Sequence, residues 1–110
     1  MVTVAEWFTC DVNSSSDDWE SWLNNDSDVY KENESNATFL EKHRDQIKMI
    51  SITDIINHEP NPVPETEISY INKSNLIELL KTWDLLIRAR AQQIVIIEEN
   101  GLYSMKEVQE

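Results

Sequence analysis

The chain has 110 residues, 40% of them apolar, with 21 acidic and 9 basic side chains and a formal net charge of −12. That length suits one domain with a core of its own, and the four tryptophans argue against disorder throughout. A single cysteine rules out an intramolecular disulfide framework, and no apolar run approaches the roughly 20 residues needed to span a bilayer.

In chain order, Val2 to Val12 mixes β-branched and aromatic residues and is predicted as a strand. Asn13 to Ser16 breaks it. Ser16 or Asp17 then caps a short helix, with the Asp17-to-Glu20 spacing of a capping box, and Trp19, Trp22 and Leu23 share one of its faces. Residues 24–36 are polar, acidic and almost free of aliphatic side chains, which predicts a loop. Thr38 and Glu41 form a second capping box, predicting a helix through about Gln46 with Phe39 and Leu40 inward beside His43 or Ile47. From Ile47 to Asn57, the spacing of Ile50, Ile52, Ile55 and Ile56 predicts a strand with buried isoleucines.

Residues 58–66 contain Pro60, Pro62 and Pro64 and must be a loop, because each proline lacks an amide donor and restrains its predecessor. Glu67 to Ile71 reads as a short strand. Ser74 caps the strongest helix, Asn75 to about Ala91. Its apolar stripe runs through Leu76, Leu79, Leu80, Trp83, Leu86 and Ile87, with Glu78–Lys81 and Asp84–Arg88 pairs on the other side. Ile94 to Ile97 is a continuous apolar run that predicts a central strand, Asn100-Gly101 supplies a tight turn, and Leu102, Tyr103 and Met105 return as the second arm of a hairpin. The order predicts a single α+β domain over residues 1–110. A mostly antiparallel sheet, a C-terminal β-hairpin and one long amphipathic helix packed on a face make up that domain.

Reactive motifs are sparse. Cys10 with His43 or His58 is the only thiol–imidazole set, and an acidic surround opposes thiolate formation. Asp11, Asn13, Ser15 and Asp17 match the odd positions of a calcium loop. Position six is Ser16 instead of glycine, however, and position twelve is Trp22 instead of glutamate. A second attempt from Asn24, Asp26 and Asp28 fails likewise, with Val29 and Ser35 in those places. One glycine, Gly101, leaves no phosphate-cradling loop. Sequons at Asn13, Asn25, Asn33, Asn36 and Asn72 are expected from an Asn- and Ser-rich composition. The N-terminus has neither a basic region nor an apolar signal core, so a cytoplasmic location is expected. Neither a cofactor, a metal nor a catalytic set is expected, and the protein is not expected to be an enzyme.

Charge is what stands out. Residues 1–36 hold nine acids and one base, for −8, and the remaining 74 hold twelve acids and eight bases, for −4. A field of this sign repels nucleic acid and anionic membrane and draws cationic partners. The candidate contact residues are Asp17, Asp18, Trp19, Glu20, Trp22, Asp26, Asp28, Tyr30, Glu32 and Glu34, where aromatic anchors sit among steering carboxylates. Trp19 and Trp22 have a competing use, since a short helix needs burial to persist. The proline loop, with Glu59, Glu65 and Glu67, is a second possible contact surface.

The composition therefore points to an acidic inhibitor of a basic protein, and most of all to a bacterial immunity protein against a nuclease-type toxin. A phage-encoded nucleic-acid mimic that blocks a defence enzyme, or a non-inhibitory adaptor subunit, are the alternatives. The sequence does not fix target, oligomeric state or strand order.

Overall fold

The computed structural model describes residues 4–5, 7–13, 15–25 and 38–108, and the backbone alone at 30 and 31. The elements are a π-helical segment (Trp7–Val12), α1 (Ser16–Asn24), β1 (Tyr30–Lys31), β2 (Thr38–His43) and β3 (Gln46–Ser51). There follow α2 (Ile52–His58), a 3₁₀ turn (Glu65–Glu67), β4 (Ser69–Asn72), α3 (Lys73–Arg88), β5 (Ile94–Glu99) and β6 (Leu102–Glu107). Strands β1 to β4 form an antiparallel sheet in chain order, and β5 and β6 form a separate hairpin. The fold is α+β, as expected.

The N-terminal segment is helical, not the predicted strand. Val4, Trp7, Phe8 and Val12 are all fully buried, and their spacing of three and four residues puts them on one helical face. Burial of that face overrides the β-propensity of its residues. The wide turn closes with the Asn13 amide donating to the Phe8 carbonyl at 3.0 Å.

The predicted helix from Thr38 to Gln46 is instead the hairpin β2–β3. Thr38, Leu40 and Lys42 are buried while His43 is exposed and Phe39 and Glu41 are half-buried, a period of two that a helix cannot satisfy. Phe39 faces Ile50 and Glu41 faces Lys48 across the ladder. Arg44, at φ 58°, supplies the positive backbone angle of the tight turn. Strand β3 then stops at Ser51, short of the predicted Asn57, and α2 packs back against it. Ile52 and Ile55 are half-buried in α2 and Ile56 is exposed, so of the four isoleucines expected in the core only Ile50 is buried.

The C-terminal half follows expectation except at β5, which lies in a two-stranded hairpin and not at the centre of a sheet, so that Ile96 alone of its four apolar residues is buried. Helix α3 starts two residues earlier than the Ser74 cap implied. Asn72 is the cap, its Oδ1 accepting from the Ser74 amide at 2.9 Å. Leu76, Leu79, Leu80 and Trp83 are buried, whereas Ile87 at the frayed end of the stripe is 40% exposed. In the β5–β6 hairpin, Ile96 and Met105 pair on the inner face, and Asn100 and Gly101 take the two positive φ angles, 55° and 82°.

An aromatic chain binds the layers together. Trp7 packs edge-on against Phe8 and Trp19, at centroid distances of 4.9 and 5.1 Å. Phe8 reaches Trp83 at 5.2 Å, and Trp19 reaches Trp22 at 5.8 Å. Two of the indoles also find carbonyls: Trp83 Nε1 donates to Asn13 at 2.7 Å and Trp19 Nε1 to Asp11 at 3.4 Å. Trp22 stacks under Lys42, whose Nζ lies 4.7 Å from the ring centroid. The same ammonium donates to the carbonyls of Trp22, at 2.7 Å, and Asn25. A cation from β2 thus sits at the negative end of the α1 dipole and fixes that helix to the sheet.

Two tyrosines make stability fall at alkaline pH. Desolvation, then the Glu98 carboxylate opposite it, raise the pKa of Tyr103 above 10.0. The hydrogen bond that Tyr70 donates to Glu65 at 2.9 Å, with smaller help from desolvation, does the same for Tyr70. Above pH 10 the unfolded chain releases these protons first, so stability declines as pH rises through the folded values. Urea unfolding between pH 9 and 11 should show that decline. Tyr103→Phe should flatten it while leaving stability near pH 7 little changed; an unaltered alkaline slope would contradict the assignment.

Candidate functional site

Helix α1 lies across α3, and the two enclose a notch of about 300 Å³ lined by Ser16, Asp17, Glu20, Leu80, Lys81, Asp84 and Leu85. The apolar face of α1 sets its orientation. Trp19, Trp22 and Leu23 are buried, which leaves Asp17 and Asp18 exposed and Glu20 half-buried at the rim. The carboxylates also stand at the N-terminal turn, where the helix dipole favours negative charge.

Across the notch, Lys81 Nζ approaches Glu20 at 3.9 Å and Asp84 pairs with Arg88 at 3.0 Å. Ser16 Oγ donates to Asp84 Oδ1 at 3.4 Å. Lys81 thus reaches a neighbouring helix rather than resting with Glu78 as the sequence suggested. Four acids (Asp17, Asp18, Glu20 and Asp84) face two bases in this region, so it stays negative. At its lip Leu85 is 68% exposed. Carboxylates around an exposed leucine suit a surface that is both charged and apolar, the composition that a Lys- or Arg-bearing helix or loop would meet.

The structure brings together Asp17, Asp18 and Glu20 and adds Asp84 and Leu85, which the linear sequence did not connect to them. It places Trp19 and Trp22 inside, so of the candidate residues on α1 only Asp17 and Asp18 are exposed. Asp26, Asp28, Glu32, Glu34 and the side chain of Tyr30 lie outside the described residues.

Other sequence features have local uses. Asp11 is buried in the π-helical segment, Ser15 Oγ donates to the Val12 carbonyl at 2.6 Å, and Asn13 offers its carbonyl to Trp83. These calcium-loop candidates therefore take part in packing the N-terminal segment. Among the described residues no group of three or more His, Cys, Asp or Glu side chains could hold a metal ion. Cys10 is exposed. His43 contacts Glu41, and His58 Nε2 lies 2.7 Å from Glu67 Oε2 beside the proline loop. No helix among the described residues is long and apolar enough to cross a membrane.

A second cavity, of about 290 Å³, is apolar; Phe8, Trp83, Ile87, Ile94 and Ile96 are among the residues around it. It lies on the inner side of β5 and shares no residue with the acidic notch. Comparison of this chain with protein-family models, with curated proteins and with solved structures gives no match.

Proposed function

We propose that the protein is an acidic inhibitor that binds and neutralises a cationic enzyme, as an immunity protein does for a nuclease-type toxin. The supporting observation is the outward display of Asp17 and Asp18, with Glu20 at the rim of the notch, from a helix whose other face is pinned into the core by Trp19 and Trp22. Nuclease clefts are positive because their substrate is not, and carboxylates on a stiff helix can stand where phosphates would bind. Fixing the helix in advance lowers the ordering cost of association, and the −12 net charge speeds encounter over distances longer than a contact. The concentration of acid in one stretch of the sequence, −8 over residues 1–36, supports this reading over a duplex mimic, whose charge would run along an extended face.

The test is inhibition of plasmid cleavage by a panel of basic nucleases, with and without the triple variant Asp17→Lys, Asp18→Lys, Glu20→Lys. Stoichiometric inhibition of at least one nuclease is expected, with an association rate that falls by about 10-fold or more between 20 and 300 mM salt. The triple variant should keep the far-ultraviolet spectrum of a folded chain but melt somewhat lower, since lysines in the first turn of α1 oppose its dipole and Glu20→Lys sets a second cation beside Lys81. Its inhibition should be lost. Full inhibition by a folded triple variant would move the contact surface elsewhere. Failure to bind any basic protein at low salt would remove the inhibitor class and favour an adaptor.

A further inference from the structure

We infer that β5 pairs edge to edge with β5 of a second copy of this chain, across a two-fold axis at Ile96. The backbone directions follow from Asn75. Its Nδ2 donates to the Tyr103 carbonyl and its Oδ1 accepts from the Tyr103 amide, both at 2.8 Å. Both backbone groups of Tyr103 therefore point away from β5, and the outer edge of β6 is closed by a side chain at that point.

Since bonding alternates along an antiparallel ladder, Glu98, opposite Tyr103, also points its N–H and C=O away from its partner strand. Ile96 and Ile94 do the same. The Val108 amide donates to the Gln93 carbonyl at 2.9 Å, as that alternation requires. Among the described residues no strand pairs with this second edge of β5. It has none of the usual guards: from Ile94 to Glu99 there is no proline, bulge or lysine, and acid appears only at one end.

The strand is self-complementary about Ile96, which points to a second copy as occupant, and the asymmetry of charge selects the register. A parallel copy would lay Glu98 and Glu99 beside their own equivalents. A two-fold centred on Ile96 instead pairs Ile96 with itself and Ile94 with Glu98, each pair exchanging both backbone bonds, and sets Glu99 against the amide of Gln93. No carboxylate then opposes another. On the outer face Val95 of each copy meets Ile97 of the other, with Leu102 one diagonal step away across the hairpin. Ile97 and Leu102 are 36% and 64% exposed in the single chain. The pairing would join these residues with Val95 into one apolar patch spanning both copies, on a continuous four-stranded sheet.

Each copy carries −12, so this association must strengthen as salt rises, the opposite of the response expected for a cationic partner. Sedimentation equilibrium of the full chain at 20, 150 and 500 mM salt should show a monomer–dimer equilibrium that shifts at least several-fold toward dimer across the series. Hydrogen exchange at high concentration should slow at the Ile94, Ile96 and Glu98 amides. Ile97→Lys with Leu102→Lys, both on the solvent face, should leave a folded monomer. In a background with Cys10→Ser, Val95→Cys with Ile97→Cys should oxidise to a covalent dimer, because the facing Cβ atoms would lie about 4.5–5.5 Å apart. A chain that stays monomeric at every salt and at millimolar concentration overturns the inference. So does a dimer that survives the double lysine variant without cross-linking through residues 95 and 97. Protection of the three amides only on adding a basic protein would assign the edge to a foreign strand and overturn it as well.

Discussion

Replacing Trp7 with alanine should cost about 3–5 kcal/mol, the range for truncating a large aromatic in a core that cannot collapse. Trp7 is completely buried and sits at the crossing of the aromatic chain, in contact with Phe8 toward α3 and with Trp19 toward α1. Removing it takes away the ring that meets Trp19 and backs Phe8 against Trp83, and leaves a cavity between the N-terminal segment and α1. A domain of this size has only about 5–15 kcal/mol to lose, so the variant should be largely unfolded well below the melting temperature of the parent. Trp7→Phe provides the contrast. Trp7 Nε1 is buried and has no hydrogen-bond partner among the described residues, so the smaller ring discards an uncompensated donor along with some packing. The two effects oppose each other, and a net loss of about 1–2 kcal/mol is expected. Urea unfolding followed by tryptophan emission measures both. Equal losses for the two variants would mean that the indole nitrogen, not the ring stacking, carries the contribution of Trp7.

The elements legible in the sequence were those whose local signals agreed with their tertiary role. In α3 the stripe from Leu76 to Trp83 is the buried face, and in the C-terminal hairpin Asn100-Gly101 fixes a turn that the flanking strands also require. The elements misread were those where two periods competed. Thr38 and Glu41 spell a helix start, yet the burial of Thr38, Leu40 and Lys42 at every second position selects a strand. Lys42 escaped notice for that reason: a lysine on a helix reads as solvated, whereas on β2 it points inward to the end of α1. Val4, Trp7, Phe8 and Val12 fit a helical face, but their β-branched and aromatic chemistry pulls the other way.

The candidate site divides in the same manner. Charge clustering marked Asp17, Asp18 and Glu20, because exposed acids need no tertiary context to be recognised. That Asp84 and Leu85 arrive beside Asp17 and Glu20 depends on how α1 crosses α3. No spacing within either helix encodes that crossing.

The second large effect is expected at Asn75. This side chain stands in for a strand, satisfying both backbone groups of Tyr103 from the first turn of α3, and it is itself buried. Alanine there leaves an amide and a carbonyl without partners in a packed setting, at about 1–3 kcal/mol each, so Asn75→Ala should lose about 2–5 kcal/mol. The loss should be felt first in the hairpin, with exchange of the Tyr103 amide accelerating beyond the global average. Asn75→Asp separates the two bonds. The introduced carboxyl still accepts from the Tyr103 amide, but once ionised it has nothing to donate to the Tyr103 carbonyl and must hold a charge in a buried position. Its pKa must therefore lie higher folded than unfolded, where it is near 3.9. The sign follows directly: relative to the parent, Asn75→Asp should come closest in stability below about pH 4 and fall behind as pH rises through the folded value. Asn75→Ala should trail the parent by a constant margin at every pH. If the aspartate variant tracks the alanine variant from pH 3 to 8, the side-chain donor to Tyr103 contributes nothing. A loss below about 1 kcal/mol for alanine would mean that water replaces both bonds, and the closed edge of β6 would then be a contact without structural consequence.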